Sequence, residues 1–189
     1  MLIQFLIALF AAYLIGSIPF GILIARALKR VDLRAHGSGH TGAMNALRSA
    51  GKTAGVLTFL ADAGKAIFAI FLARQLTGDE WASALAGVLV ITGHILPIYT
   101  RFQGGMGLAP SIGALFVFAP LALAAIIALW FPLKFFLKQS LYASMSVALL
   151  LTPILFLLRA DPATFLFGAA ASAIIFARHL ADLPRTRSN

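Results

Sequence analysis

The sequence predicts an all-α integral membrane protein, a helical bundle that crosses the membrane several times. Hydrophobic residues make up 61% of the 189 residues, and only 11% are charged. The mean hydropathy is +0.95. Soluble domains hold about half apolar and about a quarter charged residues. This composition therefore excludes a soluble globular domain.

The amino-terminal apolar stretch is interpreted as a first membrane span. It is too long, and too poor in early positive charge, for a cleaved signal peptide. The chain has no cysteine, which excludes disulfides, thiolate nucleophiles and cysteine-based metal sites. Because the histidines are scattered and carboxylates are few, we expect neither a metal nor a cofactor.

Seven apolar runs are the candidate membrane segments. They cover residues 2–25, 54–73, 81–100, 108–119, 121–137, 141–158 and 163–178. A straight spanning helix needs roughly 20 apolar residues, so the fourth run is short for a crossing. We expect that run to be tilted, re-entrant or one arm of a hairpin bent at Pro120. The whole chain, 1–189, is predicted to be one transmembrane domain.

If all seven runs cross the membrane, positive charge lies mainly on one side. Only Arg74 and Arg159 fall on the other side, in turns that also hold Asp79, Glu80 and Asp161. The majority are Lys29, Arg30, Arg34, Arg48, Lys52, Arg101, Lys134, Lys138, Arg178, Arg185 and Arg187. By the positive-inside rule the carboxyl terminus is cytoplasmic and the amino terminus is outside. This distribution predicts contact with membrane lipids, not nucleic acid, and disfavours a transporter, which needs polar groups near the midplane.

One ionisable pair, Asp62 and Lys65, lies inside an apolar run. The two residues are three apart, so they share a helical face and are expected to pair. Such a pair is either functional or a structural ion pair that orients its helix toward the bundle. Both readings stay open.

A polar, glycine-rich segment runs from Gly37 to Gly51 and includes Arg48. Small residues let backbone N–H groups turn toward an anion, and an arginine can neutralise it. The alternative is a flexible loop between two membrane helices. A second glycine cluster, from Phe102 to Gly107, weakens that alternative.

Four ordered motifs, after a first helix carrying Ala12–Pro19, form a recognisable pattern. They are Asp32-Leu33-Arg34 with Gly37-Ser38-Gly39, Asn45, Arg48 and Gly51; Gly93-His94 with Pro97, Phe102, Gly104, Gly105 and Gly107; Ser140-Leu141 with Ser144; and Arg178-His179. Over nearly its whole length the chain resembles the bacterial acyl-phosphate-dependent glycerol-3-phosphate acyltransferases, the PlsY type.

The resemblance implies a membrane enzyme of phospholipid biosynthesis in the bacterial inner membrane, with a cytoplasmic active site. Such an enzyme transfers an acyl chain from acyl phosphate to the 1-hydroxyl of glycerol 3-phosphate, giving lysophosphatidate and phosphate. Acyl phosphate is already activated, so the site needs anion binding and positioning more than a strong nucleophile. We hypothesise that the departing phosphate takes the hydroxyl proton.

The resemblance also assigns roles in the first motif. Ser38 and the amides of Gly37 and Gly39 are expected to bind phosphate oxygens. Arg48 is expected to add a charge-assisted, bidentate contact. Asn45 is expected to position phosphate or the glycerol backbone. Ser38, Arg48 and His179 are the predicted catalytic residues.

Further substrate contacts are expected from the later motifs. Gly104, Gly105 and Gly107 are expected to line a second phosphate hole. Ser140 and Ser144 are four apart, so they share a helical face, although Ser140 could instead be a helix cap. His179, with Asp182 beside it, is expected to orient glycerol 3-phosphate. His94 is expected to make a buried structural hydrogen bond, and His36 to be exposed.

The chain departs from the family at several motif positions. Family members usually have asparagine at His40 and Asp182, threonine at Met44, and lysine at Gln103 and Met106. Two positive charges are therefore missing near the phosphates, and Arg101 and His40 are the predicted replacements. The alternative function is a non-catalytic or re-purposed lipid-binding paralogue on the same scaffold.

Overall fold

A computed structural model describes the backbone of residues 1–187 and the side chains of residues 1–183. The described elements are α1 (Leu2–Ser17), α2 (Phe20–Lys29), α3 (Ala43–Ala50), α4 (Lys52–Thr77), α5 (Glu80–Ile95), α6 (Leu108–Phe118), α7 (Pro120–Leu137), α8 (Ser140–Leu157) and α9 (Pro162–Arg187), with short 3-10 turns at Leu33–Ala35 and Ile98–Thr100. The side chains of Arg185 and Arg187, counted in the charge pattern, lie outside the described residues.

Six segments of the described chain are long and apolar enough to cross a membrane. They are Leu2–Lys29, Lys52–Thr77, Glu80–Thr100, Pro120–Leu137, Ser140–Leu157 and Pro162–Leu183. Helix α6 is also apolar but has only 11 residues, short of the roughly 20 that a straight crossing needs. The predicted all-α membrane fold is confirmed, and the weak fourth run is the short helix.

The first apolar run folds as two helices. Helix α1 ends at Ser17, Ile18 is extended (φ −61°, ψ 118°), and Pro19 stands at the cap of α2. A residue that precedes proline is disfavoured in the helical region, and proline has no N–H to donate. The break presents the Ile18 carbonyl to the Lys65 ammonium, 3.0 Å away.

Contacts divide the chain, within α6, into two compact units, Met1–Ala114 and Leu115–Asn189. The single domain over residues 1–189 stays a prediction.

The first unit is held together by close helix approaches at small residues. A Cβ at Gly16 would collide with the Val90 backbone, and one at Gly93 would collide with the Tyr13 carbonyl. Small residues at these positions let α1 and α5 pack backbone to backbone. The Tyr13 hydroxyl also donates to the carbonyl of Leu96, 2.9 Å away.

The second unit packs α8 against both α7 and α9. Polar side chains join the helices: Trp130 Nε1 donates to Ser144 Oγ at 3.1 Å, and Thr152 Oγ1 donates to Ser172 Oγ at 3.2 Å. The carboxylate of Asp161 caps α9 by accepting the backbone N–H of Ala163 and of Thr164, each at 3.0 Å. These hydrogen bonds, that of Thr164 foremost, hold the pKa of Asp161 below its ordinary value.

Candidate active site

The first glycine segment begins at a carboxylate that two arginines hold in place. Asp32 accepts from Arg34 Nη2 at 2.7 Å and from Arg26 Nη2 at 2.5 Å, and its Oδ1 also accepts the Arg34 backbone N–H at 3.1 Å. The hydrogen bond from the Arg34 side chain is the main reason that the pKa of Asp32 is held well below its usual range. Asp32 therefore stays ionised and anchors the chain as it leaves α2.

Asn45 organises the segment from inside. Its Nδ2 donates to the carbonyls of Leu33, His36 and His40 at 2.9, 3.0 and 2.8 Å. Its Oδ1 accepts from Ser38 N at 3.2 Å and from Ser49 Oγ at 3.3 Å. A carboxamide has two donor hydrogens and two acceptor lone pairs, so both lone pairs are used and the two hydrogens are shared among three carbonyls. Asn45 thus shapes the loop; that it also contacts substrate stays a prediction.

Ser38 lies at the exposed tip of this loop. Its backbone N–H is used by Asn45, and the N–H of Gly39 is used by the His36 carbonyl at 3.1 Å. The Gly39 contact is a correction to the expected phosphate cradle, because that amide is already engaged. Among the described residues the Ser38 hydroxyl and the Gly37 amide have no hydrogen-bond partner, so these two groups remain available to an anion.

Arg48 lies on a short helix that the sequence interpretation treated as loop. Helix α3 begins after Gly42, and its small residues Ala46 and Ala50 pack into a core with Leu33. Arg48 is exposed, and its guanidinium has no ion pair or hydrogen bond among the described residues. It is therefore available for an anionic ligand.

The glycines of the second cluster, Gly104, Gly105 and Gly107, are buried, whereas Gly37 and Ser38 of the first are exposed. A Cβ at Gly104 would collide with the carbonyls of His94 and Ile95, and one at Gly105 would collide with the His94 ring. The Gly105 N–H donates to the His94 carbonyl at 3.1 Å. Glycine is required here because the loop packs directly on the end of α5, so the predicted phosphate hole needs other donors than the Gly105 amide.

Arg101 precedes this cluster and is exposed, without an ion pair or hydrogen-bond partner in the described part of the chain. Its backbone is left-handed (φ 53°), as is that of Phe102 (φ 63°). Two consecutive non-glycine residues in that region are unusual. The Phe102 N–H donates to the Pro97 carbonyl at 2.9 Å, which holds the turn.

Asp62 and Lys65 form the predicted pair, with 2.8 Å between Oδ1 and Nζ. Both side chains are almost fully buried within α4. His94 joins them, with its Nδ1 3.1 Å from Lys65 Nζ. The expected buried hydrogen bond of His94 is therefore confirmed, and its partner is the ion pair. His36 is exposed, as expected.

The other predicted residues lie in the second unit. Helix α8 begins at Ser140 with Gln139 at its cap and no side-chain capping bond, so the capping alternative for Ser140 is wrong. Ser144 is buried and accepts from Trp130. His179 is buried and donates from Nδ1 to the Ile175 carbonyl at 2.8 Å, and Asp182 is buried one turn further along α9.

One residue and one contact of the site were missed by sequence reasoning. Ser49 supports Asn45, and the spacing of four residues on one helix was a usable signal. The link from His94 to Lys65 joins residues 29 apart in sequence on different helices, and no local pattern indicates it.

The described fold and loops define a polytopic membrane protein with basic, glycine-lined loops that suit phosphate ligands. A comparison with known families identifies the family. The glycerol-3-phosphate acyltransferase family model matches residues 6–189. The chain belongs to this family.

Similar proteins support the assignment. The glycerol-3-phosphate acyltransferase of Jannaschia sp. (strain CCS1) is 42% identical over 175 residues, covering 92% of this chain and 85% of that protein. The one from Bordetella pertussis is 39% identical over 182 residues, covering 92% and 84%. The fold is similar to the crystal structure of PlsY, an integral membrane glycerol 3-phosphate acyltransferase, in its glycerol 3-phosphate form. That match has a TM-score of 0.86 and 31% identity, covering 97% of this chain and 92% of that one.

Proposed function

We propose that this chain transfers an acyl group from acyl phosphate to the 1-hydroxyl of glycerol 3-phosphate. The products are 1-acylglycerol 3-phosphate, which is lysophosphatidate, and inorganic phosphate. Family membership over residues 6–189 is the observation that carries the proposal. The similar PlsY was crystallised in a glycerol 3-phosphate form and in a lysophosphatidic acid form, which correspond to acceptor and product.

The reaction exchanges one acyl–oxygen bond for another. The 1-hydroxyl oxygen attacks the acyl carbonyl carbon, the bond from that carbon to the phosphate oxygen breaks, and the hydroxyl proton goes to the departing phosphate. Because the donor is already activated, the protein has to bring two phosphates together and balance their charge.

Three of the proposed ligands, Arg48, Arg101 and the Ser38 hydroxyl, have no hydrogen-bond or ion-pair partner among the described residues. Arg48 and Arg101 supply positive charge from the two loops, and the Ser38 hydroxyl donates to a phosphate oxygen. Ser140 and Ser144 on α8, and His179 with Asp182 on α9, are further proposed contacts for the substrates. With α6 counted as a seventh, tilted crossing, most basic residues lie on the same side as the two loops and the carboxyl terminus. This side is assigned to the cytoplasm of a bacterial cell, with the chain in the inner membrane.

Donor identity is tested with purified protein in detergent. Labelled glycerol 3-phosphate is offered with a long-chain acyl phosphate or with the matching acyl coenzyme A, and labelled lysophosphatidate is measured. We expect product from the acyl phosphate alone. Product from the thioester alone would contradict the proposed donor, and no product from a folded protein would support the non-catalytic lipid-binding alternative.

The site is tested with Arg48→Ala against Arg159→Ala, a second exposed arginine on the turn after α8. Loss of a charge-assisted contact worth about 2 kcal/mol lowers kcat/KM by about 30-fold. We expect that loss for Arg48→Ala and little change for Arg159→Ala. Equal values for the two variants would remove Arg48 from the site.

A further inference from the structure

The ion pair in α4 is costly, and the acyl-transfer chemistry proposed above does not use it. Asp62 and Lys65 have side-chain exposures of only 1% and 2% inside a predicted membrane span. Moving two charges from water into such a place costs energy that their mutual attraction repays only when further hydrogen bonds complete the arrangement. The other hydrogen-bond partners of Lys65 therefore identify the parts of the molecule that the ion pair positions.

The Lys65 ammonium has three neighbours that can accept hydrogen bonds or pair with it. They are Asp62 Oδ1 at 2.8 Å, the Ile18 carbonyl at 3.0 Å and His94 Nδ1 at 3.1 Å. An ammonium has three donor hydrogens and no acceptor. In the arrangement that uses all three of these hydrogens, Nδ1 of His94 accepts, and the ring carries its proton on Nε2. Asp62 lies further from the same nitrogen, at 3.4 Å.

The opposite edge of the imidazole faces the second glycine loop. At Gly105 a Cβ would collide first with His94 Nε2, so this edge of the ring lies directly against the glycine. The backbone of the same residue also holds the loop, because the His94 carbonyl accepts the Gly105 N–H at 3.1 Å. His94 thus contacts Gly105 twice, once with its carbonyl and once with its ring.

We propose that His94 is a positioning residue for the second glycine loop, with the Asp62–Lys65 pair fixing the orientation and proton of its ring. The ion pair is the support behind the ring, and Gly105 is the part of the loop placed by it. Through Ile18 the same ammonium also holds the break between α1 and α2. The expected effect on turnover rests on the proposed acyltransferase function; the placement of the loop does not.

Two substitutions of His94 test the contacts of its Nδ1 edge and of its Nε2 edge separately. In asparagine the amide reaches only the position of Nδ1, so His94→Asn keeps a partner for Lys65 and loses the contact with Gly105. In glutamine the amide reaches the position of Nε2, so His94→Gln keeps a group against Gly105. Displacement of a positioning element by about 1 Å can cost about 100-fold in rate. We expect kcat/KM to fall about 100-fold in His94→Asn and far less in His94→Gln.

Hydrogen exchange of the loop is the readout that does not depend on activity. We expect amides 103–107 to exchange faster in His94→Asn than in His94→Gln. Ser83→Ala is the control, because Ser83 is also buried in α5 but bonds at the far end, to the Asp79 carbonyl at 3.0 Å. It should leave the loop amides and turnover unchanged, and unfolding in detergent establishes that each variant is folded.

The outcomes distinguish the two proposals. If the unmodified protein forms no lysophosphatidate, the proposed function has failed, and loop exchange alone decides the role of His94. Equal hydrogen exchange of amides 103–107 in the two variants, or slower exchange in His94→Asn, would overturn the positioning role. His94 would then be a partner of Lys65 only.

Discussion

The two glycine loops of the first unit are built in opposite ways. The loop around Gly37 is exposed and is organised by one buried side chain, Asn45, through five hydrogen bonds. The loop around Gly105 is buried and is placed by direct packing on the end of α5. Glycine at positive φ lets the first loop turn. In the second loop the absence of a side chain lets the backbone approach the end of α5. Similar glycine patterns in a sequence therefore have different physical causes.

The largest effect is expected from Asn45→Ala, which removes the centre of the first loop. Buried carbonyls that lose their donor cost about 1–3 kcal/mol each, and partial access of water to this loop limits the total to about 3 kcal/mol. Ser49→Ala is the control, because it removes only one of the five hydrogen bonds. The free energy of unfolding of both variants in detergent measures the difference. Equal losses of unfolding free energy would mean that Asn45 is not the organising residue.

Gly105→Ala should damage the second loop by collision. Its Cβ would enter the space of the His94 ring, which the Lys65 contact prevents from moving aside. We expect kcat/KM to fall by about 100-fold. Gly64→Ala is matched to it, since no atom lies within 4 Å of the added Cβ there. That variant should keep activity and gain up to about 1 kcal/mol of stability, as alanine favours helix. Similar activity in both variants would exclude packing as the reason for glycine at 105.

Gly37→Ala separates backbone strain from contact with Asn45. Gly37 (φ +58°) and Gly78 (φ +63°) have similar left-handed backbones, but only a Cβ at Gly37 meets the Asn45 side chain. Both substitutions should cost about 1–2 kcal/mol of strain. Gly37→Ala should cost about 1 kcal/mol more through collision. The difference in unfolding free energy measures the Asn45 contact, and no difference would contradict it.

The smallest effect is expected from Arg101→Ala, which tests the charge balance of the second loop. Arg101 (φ 53°) and Arg159 (φ 54°) are both exposed and share a left-handed backbone, so Arg159→Ala controls for strain. Loss of one charge contact worth about 1 kcal/mol lowers kcat/KM about 5-fold. The loss should shrink at high salt, where exposed charges are screened. Equal kinetics of the two variants would mean that the missing charges at Gln103 and Met106 are replaced elsewhere.

Much of the fold is predictable because the membrane imposes it. Long apolar runs must be helices, since backbone groups have no water to bond in the bilayer. Every predicted run contains a helix, although the first run is broken into α1 and α2, and the short run is the short helix α6. The break at Ile18 follows from Pro19.

The loops are less predictable because tertiary contacts shape them. Helix α3 has only eight residues, and a helix this short depends on tertiary packing, here of Ala46 and Ala50. Because glycines flank it in the sequence, the sequence alone indicates a loop for this segment. The sequence indicated Ser38 and Arg48 as candidate ligands, but not that Asn45, itself supported by Ser49, holds the backbone of Ser38. The His94 to Lys65 link arises only when α4 and α5 pack together.

The most direct test of the account is the stoichiometry of the reaction in purified, folded protein. Phosphate released from a long-chain acyl phosphate and lysophosphatidate formed are measured together as glycerol 3-phosphate is increased. We expect both to rise and saturate together, with one phosphate released for each lysophosphatidate formed. Phosphate release that is independent of glycerol 3-phosphate, or that gives free fatty acid without lysophosphatidate, would contradict it.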